Sequence, residues 1–309
     1  MLLKPPALHP GDRLAVIAPA SYAPRDSIER GLAECRALGF DPVVDDRLFA
    51  KCGSVTAGSA EHRAAHFRDV WTNPSIAGVL TLRGGYGSVH LLPYLNAHEI
   101  RTHAKVLVGY SDVTSLLSFI TCQCGVVTFH GPSVAGRLER GSDAYDRDTL
   151  LRSVSSSAPL GELASPTAET IKAGEARGML IGGTLSLLVA SLGTPFSFDP
   201  PPGSIFFIEE ISERPYRLDR MLTQLRLAGV LGRASGLVFG ELPQCDEPEG
   251  TVTAREVIAD ALRDFPGPIV IGLPSGHTRT PALTLPFGVQ ATLQATDRAK
   301  LIIEEGAVA

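Results

Sequence analysis

The chain has 309 residues, 44% apolar and 20% charged, with a formal net charge of −5. That length and mix suit one large or two ordinary globular domains with a real core. A weakly acidic chain without blocks of like charge lacks the electrostatic footprint of a nucleic-acid binder.

In chain order, the opening MLLKPPALHPGDRLAVIAPA holds no apolar stretch long enough for a signal peptide, and no later run reaches membrane-spanning length. Residues 13–18 read as a buried strand closed by Pro19, 26–38 as a helix ended by Gly39, and 41–44 as a short strand. A helix follows at 60–71. Its His62 and His66 lie one turn apart, a spacing that can bind zinc. The H-E-x-x-H order is absent and no third ligand lies near, so an exposed helix with two histidines is expected. Residues 76–83 read as a strand running into Gly84-Gly85-Tyr86-Gly87, then a short helix. Residues 105–109 read as a strand, 112–124 as a helix and 126–130 as a strand. Strands alternating with helices imply a mostly parallel sheet covered on both faces.

From about 139 to 174 the sequence is polar, weakly periodic and rich in Ser, Ala and Pro, and it reads as an inter-domain linker with some local structure. Beyond it come a strand ending at Gly182-Gly183, a helix at 184–192, a strand at 204–208 and a helix at 216–227. Strands at 236–241 and 269–273 flank a helix at 253–263, and the tail at 283–304 alternates as antiparallel strands do. The expected division is an N-terminal α/β domain at 1–138, a linker at 139–174 and a β-rich α+β domain at 175–309. Five cysteines, an odd number without a C-x-x-C pair, read as thiols in a reducing compartment. A cytoplasmic location is the expectation.

Several segments could carry chemistry. In KVLVGYSDVTSLLSF, Ser111 stands between a strand and a helix. A serine on such a turn exposes its hydroxyl beside unpaired helix N–H groups, the logic of a nucleophile elbow. The full G-x-S-x-G is absent, and a serine there can equally cap the helix. In SIFFIEEISERPYRLDRML, Glu209 and Glu210 end an apolar strand, so one can enter a cleft while its neighbour points away. Both could also be solvated acids at a loop edge. In IVIGLPSGHTRTPALTLPFG, His277 follows a buried strand and a Pro-Ser-Gly turn, a position suited to a general base. The Gly84–Gly87 turn could supply an oxyanion hole or cradle a phosphate, though it matches neither dinucleotide fingerprint nor P-loop.

In order and spacing, GDRLAVIAPAS, AGSAEHRAAHF, LTLRGGYGSVHLL, VGYSDVTSLL, TFHGP, IGGTLSLLVASLGTPF, FIEEISERPYRLDRMLTQL and GLPSGHTRTPALTLPFG together resemble the LD-carboxypeptidase family, the muramoyl-tetrapeptide carboxypeptidases of peptidase family S66. The resemblance implies an N-terminal flavodoxin-like parallel sheet domain plus a C-terminal β-rich domain, with the active site between them and a homodimer as the working unit. It implies a Ser-Glu-His triad of Ser111, Glu209 (with Glu210 as fallback) and His277. Backbone N–H groups of Gly85 and Asp112 would form the oxyanion hole, and Gly84 and Tyr110 would bind substrate; Arg83, beside the glycine turn, is by position alone a candidate for the terminal carboxylate and can equally be an ordinary strand-end arginine. No metal or organic cofactor is called for. The implied reaction releases terminal D-Ala from murein tetrapeptides in cell-wall recycling. The alternative is a microcin-immunity-type serine peptidase cleaving aminoacyl-nucleotide antibiotics, which would need an added aromatic for the base. The single tryptophan, Trp71, lies away from the motifs.

Overall fold

The computed structural model describes residues 2–309. Short apolar runs bounded by glycine, proline or polar residues make the strands β1 (Arg13–Ile17), β2 (Asp41–Val43), β3 (Gly78–Thr81), β4 (Val106–Gly109) and β5 (Thr128–His130). The helices α1 (Arg25–Ala37), α2 (Ala60–Thr72), α3 (Ala97–Thr102) and α4 (Thr114–Cys122) fall between them. Next come α5 (Arg147–Ser155), β6 (Gly161–Ala164), β7 (Glu169–Lys172), β8 (Gly174–Thr184) and α6 (Leu185–Ala190). The chain continues through β9 (Ser204–Glu209), α7 (Pro215–Leu227), β10 (Ala234–Phe239), α8 (Ala254–Ala261) and β11 (Ile269–Ile271). It ends with β12 (Leu285–Phe287), β13 (Gln290–Ala295) and β14 (Lys300–Ile303). Among the described residues no helix is long and apolar enough to cross a membrane.

The first sheet has the order β12-β5-β4-β3-β1-β2, with β1 to β5 parallel. Order 2-1-3-4-5 is the flavodoxin-like arrangement, and its ligand cleft lies outside the carboxyl ends of the strands. Every residue of β3 and β4 is buried, as expected for central strands covered on both faces. The edge strand β12 is antiparallel to β5 and comes from the far end of the chain, pairing Leu285 with His130.

The second sheet has eight strands in the order β6-β14-β13-β8-β9-β10-β11-β7. Its centre, β8 to β11, is parallel. Antiparallel β13, β14 and β6 extend one side and β7 closes the other. The polar segment 139–174 therefore holds one helix and two strands. Strands β6 and β7 are largely exposed or half-buried, which is why their apolar pattern is weak. The helix α3, only six residues long, also escapes periodicity.

One apolar core runs beneath both sheets, with Val108 and Phe129 of the first in the same cluster as Phe207 and Val238 of the second and Phe287 of β12. The loop between β11 and β12, which carries His277, is thus strung from the second sheet to the first.

Candidate active site

The buried strand β4 ends at Gly109, and the chain turns sharply into α4 through a short 3₁₀ turn at Ser111–Val113. Ser111 sits at the apex with φ of 64°, a left-handed conformation strained for a residue with a side chain. Its Oγ makes no cap bond and has no protein hydrogen-bond partner among the described residues, so helix capping is not its role. The glycine turn after β3 presses against it. A Cβ on Gly84 would lie 2.7 Å from Ser111 Cβ and 2.8 Å from its Oγ, so only glycine fits. Asp112 is buried and pins the two turns together. Its Oδ1 and Oδ2 accept from the backbone N–H of Gly87 (3.2 Å) and Ser88 (2.8 Å), and its carbonyl accepts from Ser88 Oγ at 2.5 Å. On the other side Ser21 Oγ accepts from Tyr86 N at 3.1 Å. The buried Arg63 guanidinium donates to the carbonyls of Pro19, Gly58 and Gly87. The backbone N–H groups of Gly85 and Asp112 meet no protein acceptor among the described residues and stay free for a ligand.

Glu209 ends β9 wholly buried, and it is the member of the acidic pair that reaches His277. Its Oε2 accepts from His277 Nδ1 (2.7 Å) and His277 N (2.8 Å), while Oε1 accepts from Thr184 Oγ1. Strand alternation sends Glu210 the opposite way, where it accepts from Ser186 N (2.8 Å) and Ile211 N (3.0 Å) at the start of α6 and beyond β9. A carboxylate can only accept, so Nδ1 carries the proton and Nε2 is left as the basic nitrogen. Gly276, at φ of +69°, makes the approach possible: a Cβ there would lie 2.7 Å from Glu209 Cδ. Burial alone would raise the Glu209 pKa, but the His277 imidazole and its hydrogen bond outweigh it and hold the carboxyl down at about 2. Burial alone would lower His277, and Glu209 reverses that, raising it above the ordinary imidazole value.

A thread of threonines joins the two halves of the site. Thr184, at the end of β8, donates its N–H to Thr114 Oγ1 (3.0 Å), and Thr114 Oγ1 lies 3.3 Å from Thr184 Oγ1, the group bound to Glu209. Thr114 is the third residue after Ser111. Tyr110, just before Ser111, presents its ring edgewise to His277, 5.2 Å between centroids. The half-buried Arg83 guanidinium meets no acceptor among the described residues.

Two family models decide what this arrangement belongs to: the LD-carboxypeptidase N-terminal domain matches residues 14–131 and the C-terminal domain residues 177–293. The chain belongs to the LD-carboxypeptidase family. A probable murein peptide carboxypeptidase of Bacillus subtilis is 32% identical over 99% of this chain and 97% of its own length. The solved muramoyltetrapeptide carboxypeptidase of Oxalobacter formigenes superposes with a TM-score of 0.82 at 28% identity, covering 95% of this chain and 99% of its own. The solved microcin C7 self-immunity protein MccF gives a TM-score of 0.91 at 23% identity, covering 99% and 100%, a likeness of fold. As a member of this family the chain is a peptidase.

Sequence reasoning brought Ser111, Asp112 and the glycine turn to one place and Glu209 with His277 to another in this LD-carboxypeptidase, and the structure packs the two places against each other. It missed Thr114, Thr184, Ser21, Arg63, His130 and Arg137. All of these but Arg137 lie within the quoted motifs, and Arg137 follows one, but their roles need contacts between segments far apart in sequence. The expectation of an exposed α2 is corrected. His66 is 4% exposed, its Nε2 lies 3.4 Å from Asp45, and burial lowers its pKa to about 4.

Proposed function

We propose that this LD-carboxypeptidase is a serine enzyme that releases terminal D-Ala from murein tetrapeptides. Its place is cytoplasmic cell-wall recycling, and it works as a homodimer on the 1–138 and 175–309 domains, with no metal or organic cofactor. The single observation that carries the serine mechanism is the bond from His277 Nδ1 to the buried Glu209, which leaves Nε2 basic, with Tyr110, the residue before the strained Ser111 elbow, edgewise to the imidazole.

In this reading Ser111 Oγ attacks the L,D-peptide carbonyl as His277 Nε2 takes its proton. Glu209 keeps Nδ1 protonated and stabilises the imidazolium as it forms. The free N–H groups of Gly85 and Asp112 hold the oxyanion. His277 returns the proton to the departing amine of D-Ala, leaving the acyl group on Ser111. Water, deprotonated by His277, then cleaves the ester and restores the serine. Arg83 has a guanidinium free to take the terminal carboxylate, while Gly84 and Tyr110 line the approach.

The name of the Bacillus relative supports a murein substrate. So does the state of Trp71, buried, stacked on Phe67 and donating Nε1–H to Ile100 O, which leaves no tryptophan to stack on a nucleotide base. The microcin-type alternative is supported by likeness of fold and by a sequence match to the microcin C7 self-immunity protein of Escherichia coli, 25% identical over 93% of this chain and 91% of its own length. The test is to offer the enzyme L-Ala-γ-D-Glu-meso-diaminopimelate-D-Ala and an aminoacyl-adenylate analogue side by side, with products read by mass spectrometry. D-Ala release from the tetrapeptide is the expected result. Cleavage of the adenylate analogue alone would move the enzyme to the antibiotic-detoxifying branch.

A further inference from the structure

We propose that Arg137 is the positioning residue for His277, its buried guanidinium fastening the backbone on both sides of the base and setting its basicity; the proposal rests on His277 acting as the base. Arg137 lies in the turn that follows β5 and is 4% exposed. Its Nη2 donates to the carbonyls of Gly276 (2.7 Å) and Thr278 (2.8 Å), the residues either side of His277, and its Nη1 to Ala144 O (2.9 Å). Among the described residues no carboxylate pairs with it, and its Nε has no partner. A buried cation without a counter-ion is costly, and the rigid guanidinium plane lets Nη2 take both carbonyls while Nη1 is anchored on Ala144 O, an arrangement a single ammonium nitrogen does not reproduce.

The arrangement is complete around one residue. Glu209 takes the N–H of His277 and its Nδ1 proton, while Arg137 takes the carbonyls before and after. The peptide plane before His277 and the one after Thr278 are held, so the base is bracketed on either side. This matters because the loop runs between two sheets, and Arg137 belongs to the part of the chain that follows the first sheet.

The same guanidinium also balances charge. Glu209 and Glu210 both favour protonated His277, and Arg137 opposes them. Tyr110 lies edgewise to the imidazole. His130 is fully buried, and burial lowers its pKa to about 4, so it stands neutral. Glu241 accepts from Arg279 N and Thr280 Oγ1 further along the loop. Arg137 is the cation that opposes this acidic setting.

The experiment uses the full chain, with Arg137→Met and Arg137→Lys beside wild type. The His277 imidazole titration is followed by NMR, and D-Ala release is measured as kcat and KM across pH. In Arg137→Met the His277 titration moves to higher pH by about half a unit or more, and kcat falls at least about 10-fold. In Arg137→Lys, which keeps the charge but not the fork, the titration stays near wild type while kcat falls and KM changes little. Should Arg137→Met not fold, the Lys variant still decides through its kcat. Wild-type kcat in Arg137→Lys, or an unmoved His277 titration in a folded Arg137→Met, overturns the proposal. The titration needs no turnover, so a wild type inactive on murein peptide would sink the substrate reading and leave this one testable.

Discussion

Glu209→Gln separates the charge of the acid from its geometry. The amide oxygen can occupy the place of Oε2 and keep both bonds to His277, from N and from Nδ1. The amide nitrogen then faces Thr184 Oγ1, which can turn to accept from it and donate to Thr114 Oγ1 instead. Shape, tautomer and hydrogen-bond count are preserved, and only the negative charge is lost. Removing one partner of a buried charge pair costs about 3–5 kcal/mol, felt here when the imidazolium forms in the transition state. At about 1.4 kcal/mol per decade this predicts a loss of roughly two to four decades in kcat, with KM little changed. With the carboxylate gone, burial and Arg137 are opposed only by Glu210, so the acidic limb of kcat/KM moves to lower pH than in wild type. D-Ala release from the tetrapeptide, coupled to D-amino-acid oxidase, measures both. Turnover near that of wild type, or an acidic limb that moves upward, would refute the role assigned to the charge.

Two further outcomes follow from the same geometry. Gly84→Ala places a Cβ 2.7 Å from Ser111 Cβ, so the serine must shift and kcat/KM falls about 100-fold while far-UV circular dichroism stays that of wild type; undiminished turnover would show that the glycine turn is not pressed on the serine. Glu209, lowered from 4.5 to about 2, contributes stability that is present above pH 4.5 and lost as pH falls through about 2, on the order of 3 kcal/mol. His277 has the opposite sign, with its contribution full below 6.5 and fading as pH rises through its raised value. Urea unfolding between pH 6 and 3 should show a steeper loss in wild type than in Glu209→Gln, and equal slopes would contradict the pairing.

The parts of this site that were legible in the sequence are those with local causes. An apolar strand followed by Tyr110-Ser111-Asp112 announces an elbow because the apolar run is broken by polar residues and a helix begins within three residues. The choice between Glu209 and Glu210 was not legible: both end the same strand, and only the register of β9 between β8 and β10 decides which faces His277. The parallel centre of the second sheet was hidden because its strands are separated by irregular connections as well as helices. The pairing of β12 with β5 was hidden because it joins residues more than a hundred positions apart. Arg137 was invisible for the same reason. Nothing near it in sequence indicates that its guanidinium crosses to carbonyls of residues 276 and 278.

The most direct test of the central claim, that Ser111 is the nucleophile served by Glu209 and His277, compares wild type and Ser111→Ala on the murein tetrapeptide. Mass spectrometry follows the loss of D-Ala, and a fluorophosphonate probe labels the intact proteins. The account predicts D-Ala release and a single adduct on the Ser111 peptide in wild type, and neither in a folded Ser111→Ala. D-Ala release that survives the loss of the Ser111 hydroxyl would contradict it.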